Sequence, residues 1–416
     1  MILSIIGFMV SFDREEKNLI LIQVLDYFSS SLAGIFVTVY FYNHSDLKTT
    51  IFFNVIAYTS TLFFYVISGW TLKKVSSAFL IRFSLLTSAL FYFLLFILKE
   101  QSIHYLIPIG ILLGFNAGNY WAGFNLNQYL FTDKEKRVEY FGSITGIINA
   151  LSAIAPLIGG AIIIVFNKNS IFGLDMGYGL LFFLVFLILL FMFFLANKLP
   201  SHTTPDFSYR EIIFHERSYY WKLILGQQLL LGLYDSSLGI VTSILFFLIL
   251  RNEFNLGGVQ TIAFLLGAIG SIFSIKSLKK SKYSFWIGSI GLAIGIGLFG
   301  ILHNLPGIIC FIILTGFFAP FLNNWLSIVY YNSLDNYNSG WTKKYHLMLE
   351  REIALGVSRI VSFLSLFVVL QYGNQYKIAH YWLYGLLFLP LLIGVLLHKM
   401  NRLIQNTPEI VNNIIH

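Results

Sequence analysis

The chain has 416 residues, of which 57% are hydrophobic and only 11% are charged. A soluble domain carries about 25% charged residues, so this composition excludes a soluble enzyme, a nucleic-acid-binding protein and a disordered protein. The formal net charge is +8, and its basic residues lie in short segments between apolar stretches. The single cysteine, Cys310, excludes an internal disulfide and a multi-cysteine metal site. The sequence therefore predicts an all-α, polytopic membrane protein.

Twelve apolar stretches are long enough to cross a bilayer as helices, which takes roughly 20 residues each. We call them spans 1 to 12, at residues 19–42, 49–70, 77–98, 104–130, 141–165, 178–197, 223–249, 257–275, 284–302, 306–332, 352–371 and 380–398. The apolar segment 1–12 is too short to span, and we expect it to lie at the membrane interface before span 1.

The distribution of basic residues predicts the orientation of these spans. Of the 27 Lys and Arg residues, 20 lie in the segments on the same side as the N-terminus, five lie on the opposite side and two lie within spans. Basic residues accumulate in cytoplasmic loops of membrane proteins. We therefore expect both termini to be cytoplasmic, in the cytoplasmic membrane of a bacterium.

The two halves of the chain show a weak internal repeat. The repeated pairs are residues 30–32 and 236–238 (both SSL), residues 71–74 (TLKK) and 277–280 (SLKK), and Asn119-x-Trp121 and Asn323-x-Trp325. Parallel repeats of six spans are typical of one large transporter class. The repeat predicts a six-helix bundle at 1–197, a cytoplasmic central loop at 198–222 and a second six-helix bundle at 223–416.

Two local motifs add to the repeat. The segment 69–74 after span 2 (GWTLKK) keeps the first glycine and a basic position, at Lys73 and Lys74, of the pattern G-x-x-x-D-R-x-G-R-K. Span 5 follows the pattern G-x8-G-x3-G-P-x2-G-G, with matches at Gly142, Pro156, Gly159 and Gly160.

With these motifs the chain resembles the major facilitator superfamily over essentially its whole length. The stretches 118–125 (GNYWAGFN) and 351–359 (REIALGVSR) resemble a poorly characterised group of bacterial members. The resemblance implies a central cavity lined by spans 1, 4, 7 and 10, and alternating access of that cavity to the two sides. It also implies gating at Lys73 and Lys74, and a helix bend at the span 5 motif, which is associated with exporters.

Three carboxyl groups are candidates for proton coupling, because ionisable groups within spans are costly and are functional candidates by default. Asp26 lies in span 1, Asp235 lies in span 7, and Glu352 lies at the cytoplasmic mouth of span 11. The structural alternative for the first two is a hydrogen bond to a neighbouring helix; for Glu352 it is an inner-gate charge cluster.

Two arginines lie within spans, Arg82 in span 3 and Arg359 in span 11. An arginine at this depth requires a carboxylate or backbone carbonyls as partners. We expect both to form structural or gating ion pairs, with an anionic substrate as the alternative partner.

Amides and aromatic side chains in the spans expected to line the cavity are the candidates for substrate contact, because amides fix orientation and aromatic rings supply contact area. The alternative is hydrogen bonding between helices. The candidates are Tyr27, Asn116, Asn119, Tyr120, Trp121, Gln227, Tyr234, Asn323, Asn324 and Trp325.

These features favour a secondary transporter that moves a small molecule by alternating access and exchanges it for protons, with efflux of an amphipathic or cationic compound. Proton-coupled uptake, facilitated transport of a metabolite and lipid flipping on the same scaffold remain alternatives. A membrane-embedded enzyme would need acids and histidines clustered in a long loop, and the outer loops are short. We expect no enzyme activity, cofactor, metal or nucleic-acid partner, and a monomer in the lipid bilayer.

Overall fold

The computed structural model describes residues 14–132, 135, 137–167, 175–335 and 341–406. The described part consists of helices and the turns that join them. The predicted interfacial segment 1–12 lies outside the described residues.

The helical bundle has the predicted number of membrane crossings. Within the described ranges, eleven helical stretches are long and apolar enough to span, and one of them, Ser77–Phe131, contains both span 3 and span 4, joined by the 3-10 helix Lys99–Tyr105. Spans 1 to 4 are Arg14–His44, Leu47–Thr71, Ser77–Leu98 and Leu106–Phe131. Spans 6 to 10 are Met176–Leu195, Tyr219–Leu250, Glu253–Lys280, Phe285–Leu302 and Leu305–Asp335.

Spans 5 and 12 are each built from two helices. Span 5 comprises Arg137–Ser152 and Ala155–Asn167, and span 12 comprises Gln375–Leu386 and Phe388–Asn406. In span 5 the interruption falls directly before Pro156, which sits in the first turn of the following helix, where its missing N–H breaks no helix bond. Thr261 of span 8 donates a hydrogen bond at 2.6 Å to the carbonyl of Ala153, which lies in the interruption.

Span 11 begins earlier than predicted. The helix runs over Trp341–Val369, whereas hydropathy places the span at 352–371. The additional turns carry the polar segment around Glu350, whose carboxylate accepts from Trp221 Nε1 at 2.7 Å and pairs with Arg217 of the central segment. Hydropathy detects only the part of a helix that lies in hydrocarbon, so this extension left no apolar signal.

The two halves of the chain meet along spans 5 and 8 and along spans 2 and 11. Glycines permit the closest approach. A Cβ added to Gly257 of span 8 would lie 2.2 Å from the Pro156 carbonyl oxygen, and one added to Gly160 would lie 2.4 Å from the Glu253 carbonyl oxygen. Backbone therefore packs directly on backbone here, as expected where lipid provides no hydrophobic force between helices.

We predict that Gly257→Val destabilises the protein by about 1–3 kcal/mol, the usual cost of overpacking a close contact. Thermal unfolding of the purified protein measures the effect. Gly297→Ala in span 9 is the control, because a Cβ there has nothing within 4 Å and alanine is the better helix former. Equal stability of Gly257→Val and wild type would contradict the role of this contact.

The predicted orientation has its own test in a Cys310→Ser background. Ser281 lies after span 8 on the predicted cytoplasmic end, Gln371 lies after span 11 on the predicted outer end, and both are exposed. On intact cells we expect an impermeant maleimide to label Gln371→Cys and to reach Ser281→Cys only after the membrane is opened. The reverse labelling pattern would invert the topology.

Candidate functional site

A central cavity of about 1170 Å³ lies between the two halves of the chain. Its wall comes chiefly from spans 1, 2, 4 and 5 of the first half and spans 7, 8, 10 and 11 of the second half. This volume is slightly above the range of about 300–1,000 Å³ that is typical of pockets for drug-sized molecules.

An ion pair between spans 7 and 11 lies on the cavity wall. Arg359 Nη2 lies 2.7 Å from Asp235 Oδ2, and the two side chains are 23% and 32% exposed. Asp235 Oδ1 also accepts from the hydroxyl of Ser236 at 2.9 Å. The guanidinium group of Arg359 stands 5.5 Å from the ring centre of Tyr58 in span 2. Arg359 therefore touches both halves of the helical bundle at once.

A second charged pair lies nearer the predicted cytoplasmic end. Arg351 pairs with Glu352, and its Nε donates to Gln228 Oε1 in span 7 at 3.0 Å. Asn125 of span 4 donates to Glu352 Oε1 at 3.4 Å. Since Asn125 belongs to the first half and Glu352 to the second, this pair also connects the halves.

Nearer to the predicted cytoplasmic end of the cavity, an ion pair with one buried member joins the halves. Arg137, at the start of span 5, is 2% exposed and pairs with Asp335 at the end of span 10. Arg137 also donates to Asn332 Oδ1 at 2.9 Å, and the Tyr129 hydroxyl donates to Asp335 Oδ1 at 2.9 Å. Tyr331 stacks on Tyr129 with a centroid distance of 6.1 Å. We call these five residues the cytoplasmic plug.

Hydrogen bonds between the halves also occur at the predicted outer end. Gln375 donates to Asp46 Oδ2 at 2.9 Å and accepts from the Lys48 amide at 3.2 Å. The Tyr178 hydroxyl donates to Glu253 Oε1 at 3.0 Å. The cavity thus lies between two sets of contacts that join the halves.

Comparison with known families agrees with this architecture. Residues 19–340 match the Major Facilitator Superfamily. The chain belongs to that family. Its members are secondary transporters, which agrees with a cavity placed between two halves.

Curated relatives extend the match without naming a substrate. The chain is 24% identical over 352 residues to the uncharacterized protein YqgE of Bacillus subtilis (strain 168), covering 82% of this chain and 79% of that protein. It is also 24% identical over 156 residues to an uncharacterized protein in the sodM 3′ region of Geobacillus stearothermophilus, covering 36% of this chain and 72% of that protein.

Solved structures share the fold. A bacterial homologue of the iron transporter ferroportin in an outward-facing state aligns with a TM-score of 0.63 and 15% identity, covering 94% of this chain and all of that chain. The human organic anion transporter MFSD10 (TETRAN) aligns with a TM-score of 0.66 and 14% identity, and the alignment covers 93% of this chain and 100% of that chain. A variant of the E. coli fucose:proton symporter FucP aligns with a TM-score of 0.64 and 13% identity, and the alignment covers 92% of this chain and 97% of that chain.

In this Major Facilitator Superfamily fold, eight of the residues singled out from the sequence line the cavity. They are Tyr27, Trp121, Tyr234, Asp235, Asn323, Asn324, Glu352 and Arg359. Asn324 also joins spans 5, 8 and 10, because it accepts from Thr145 Oγ1 and donates to Ser274 Oγ, both at 2.9 Å.

Five expected cavity residues lie outside the lining, namely Asn116, Asn119, Tyr120, Gln227 and Trp325. In span 4 the helical spacing explains this, because Ala117, Trp121, Asn125 and Gln128 form the face that lines the cavity. Asn116, Asn119 and Tyr120 lie on other faces of the same helix. Gln227 instead contacts Met400 Sδ of span 12, and the Trp325 ring packs on Phe285 of span 9.

Asp26 and Arg82 also lie away from the cavity wall. Asp26 is surrounded by Tyr27, Tyr92 and Tyr120, with which it interacts electrostatically. Arg82 packs 5.2 Å from the ring centre of Phe193 in span 6, and it takes part in none of the ion pairs of the described residues.

The two motif segments lie at the edge of the bundle or between helices. Lys73 and Lys74 are exposed after span 2, where Lys74 lies 4.9 Å from the Trp70 ring centre. Span 5 uses its glycines for close contact, since a Cβ on Gly142 would meet Ile275 of span 8 and one on Gly159 would meet the Leu32 carbonyl of span 1.

Sequence reasoning missed the contribution of span 2 and the cytoplasmic plug. Asn54, Tyr58, Thr61 and Tyr65 line the cavity, and their spacing on one helical face was a signal that points to a polar stripe. Arg137 and Asp335 are 198 positions apart, and no local pattern links them.

We predict that Asp335→Asn opens the predicted cytoplasmic end, because it leaves the buried Arg137 charge without its partner. Breaking a buried pair in this way costs about 3–5 kcal/mol. With Ser31→Cys as a cavity reporter in a Cys310→Ser background, we expect maleimide labelling from the cytoplasmic face of everted vesicles to accelerate tenfold or more.

The matched control for the plug is Lys279→Gln. Lys279 pairs with Glu139 between the same two halves, but both side chains are more than half exposed, and exposed pairs contribute only about 0–1 kcal/mol. Its labelling rate should equal that of the reporter alone. An unchanged rate in Asp335→Asn would mean that the plug does not hold this end closed.

Proposed function

We propose that this Major Facilitator Superfamily member exchanges protons for a small amphipathic or cationic molecule, with export from the cytoplasm as the direction. The observation that carries the proposal is the Asp235–Arg359 pair on the cavity wall. It places a titratable carboxylate where a substrate would contact it and gives that carboxylate an internal partner when no substrate is bound.

Competition for Asp235 supplies the coupling in this proposal. A proton arriving from outside neutralises Asp235 and removes its attraction for a cationic group, so the substrate is released. Loss of that proton to the cytoplasm restores the carboxylate, which binds the next substrate. Arg359 then turns toward Glu352, which lies two helical turns away on the same face and already interacts with it electrostatically.

The rest of the wall suits an amphipathic molecule. Trp121, Tyr27 and Tyr58 offer flat apolar surfaces, and amides at several depths offer hydrogen bonds. The lining amides are Gln23, Asn54, Asn125, Gln128, Asn149, Gln228, Gln260, Asn323 and Asn324. Amides bind polar groups of either charge, so recognition of a cation rests on Asp235 and Glu352.

An organic anion is the second candidate substrate class, because two arginines, Arg351 and Arg359, also line the cavity. An anionic group would replace Asp235 as the partner of Arg359. The structurally similar MFSD10 is described as an organic anion transporter, which is consistent with this candidate at the level of the fold.

Proton release from acidified everted vesicles tests the proposal. A panel of amphipathic cations, zwitterions and organic anions is added, and we expect wild type to release protons with amphipathic cations. Asp235→Asn should reduce this release by at least tenfold, because an amide neither titrates nor attracts a cation. Asp26→Asn should retain it, because Asp26 lies outside the cavity wall, and Glu139→Gln is the surface control.

The outcomes separate the candidates. Loss of release in Asp26→Asn but not in Asp235→Asn would move the coupling site to span 1. Release caused by organic anions, lost in Arg359→Gln, would establish the second candidate. No release with any compound from vesicles that contain folded protein would contradict proton exchange, leaving uptake, facilitated transport or lipid flipping.

A further inference from the structure

Three potential metal ligands from distant parts of the chain converge at the predicted outer end of the first half. His44 ends span 1, Glu100 lies in the 3-10 helix between spans 3 and 4, and Asp175 directly precedes span 6. One ligand atom from each residue lies within 4.8 Å of the other two. None of the three lines the central cavity, so they form a separate cluster.

The hydrogen bonds of His44 leave its second ring nitrogen facing a carboxylate. His44 Nδ1 lies 2.8 Å from the Tyr40 carbonyl oxygen, which only accepts, so Nδ1 carries a proton. His44 Nε2 lies 2.6 Å from Asp175 Oδ2. A neutral imidazole and a carboxylate would both present lone pairs at this contact, so a cation must lie there, either a proton or a metal ion.

A divalent metal ion carries the charge that matches both carboxylates of the cluster. A proton on His44 would offset one of the two carboxylates, and among the described residues neither Glu100 nor Asp175 pairs with a lysine or an arginine. An Nδ1–H bound to a backbone carbonyl, with Nε2 directed at the ion, is the arrangement that orients most metal-binding histidines.

Two buried hydroxyl groups lie next to the cluster. Tyr40 and Ser102 are 1% and 0% exposed, and their hydroxyl groups lie beside each other next to the cluster. The Tyr40 hydroxyl is close enough to Asp175 and Glu100 to interact electrostatically with both carboxylates. A water molecule bound to a metal ion is chiefly a hydrogen-bond donor, and the Tyr40 hydroxyl oxygen would be an acceptor for it.

We propose that His44, Glu100 and Asp175 bind a divalent transition-metal ion, for which Zn²⁺ is the probe. One imidazole and two carboxylates form an N/O donor set suited to such ions. Zn²⁺ lies about 2.0–2.2 Å from these donors, so His44 Nε2 and Asp175 Oδ2 separate slightly on binding, and a fourth position remains for water.

Side-chain contacts connect the cluster to the second half of the protein. The Tyr40 ring packs on Tyr178 at a centroid distance of 5.2 Å, and Tyr178 donates the hydrogen bond to Glu253 of span 8. An ion bound at this cluster therefore stabilises elements adjacent to a contact between the halves at the predicted outer end.

Isothermal titration of ZnCl₂ into the purified full-length protein, without a histidine tag and in lipid nanodiscs, tests the site. We expect one Zn²⁺ per chain, and an affinity at least tenfold weaker in His44→Gln and in Asp175→Asn. Glu100→Gln is the decisive variant, because Glu100 is exposed and forms no ion pair among the described residues. It should lose affinity while its metal-free melting temperature stays that of wild type.

A second histidine cluster serves as the control. His303 Nδ1 lies 2.7 Å from His380 Nδ1 at the predicted outer end of the other half, and His303→Gln should bind Zn²⁺ like wild type. The proposal is overturned if wild type binds no Zn²⁺, if Glu100→Gln and His44→Gln both bind as wild type does, or if His303→Gln alone removes binding. MgCl₂ should produce no binding heat, because Mg²⁺ prefers oxygen ligands alone.

Discussion

The interaction on which the candidate site depends is the ion pair of Asp235 and Arg359 within the membrane-spanning part of the bundle. A lone charge at this depth is costly, and each of these residues removes that cost for the other while both face the cavity. The pair therefore keeps a titratable group at the centre of the molecule without destabilising spans 7 and 11. Because Arg359 also reaches Tyr58 of span 2, the pair lies at the interface between the halves.

That interface combines two kinds of contact with different physical properties. Along spans 5 and 8, glycines allow backbone to pack on backbone, which resists sliding and provides a continuous seam. At the ends of the cavity, the halves are joined by hydrogen bonds and ion pairs, such as Arg137 with Asp335 and Gln375 with Asp46. Polar contacts of this kind can separate and exchange partners with water. This division is what rocking of two halves about a central site requires.

The cluster of His44, Glu100 and Asp175 differs from the cavity in its position and in its charge. It lies at the end of the bundle, within the first half, and its carboxylates have no lysine or arginine partner among the described residues. The Tyr40–Tyr178 contact connects it to Glu253 of the second half. A metal ion there would act on the structure of the outer end, not as cargo in the central cavity.

The sequence by itself predicted the twelve crossings, because apolar stretches long enough to span a bilayer can do so only as helices. Its internal repeat and its motifs indicated the family. It also identified Asp235, Glu352 and Arg359, since charge within or beside hydrocarbon is rare enough to be noticed from composition. It did not determine which face of span 4 meets the cavity, or the break before Pro156. Only the tertiary structure brought Arg137 to Asp335 and His44 to Glu100 and Asp175. These residues are far apart along the chain, and their proximity depends on how the helices pack, which no local pattern encodes.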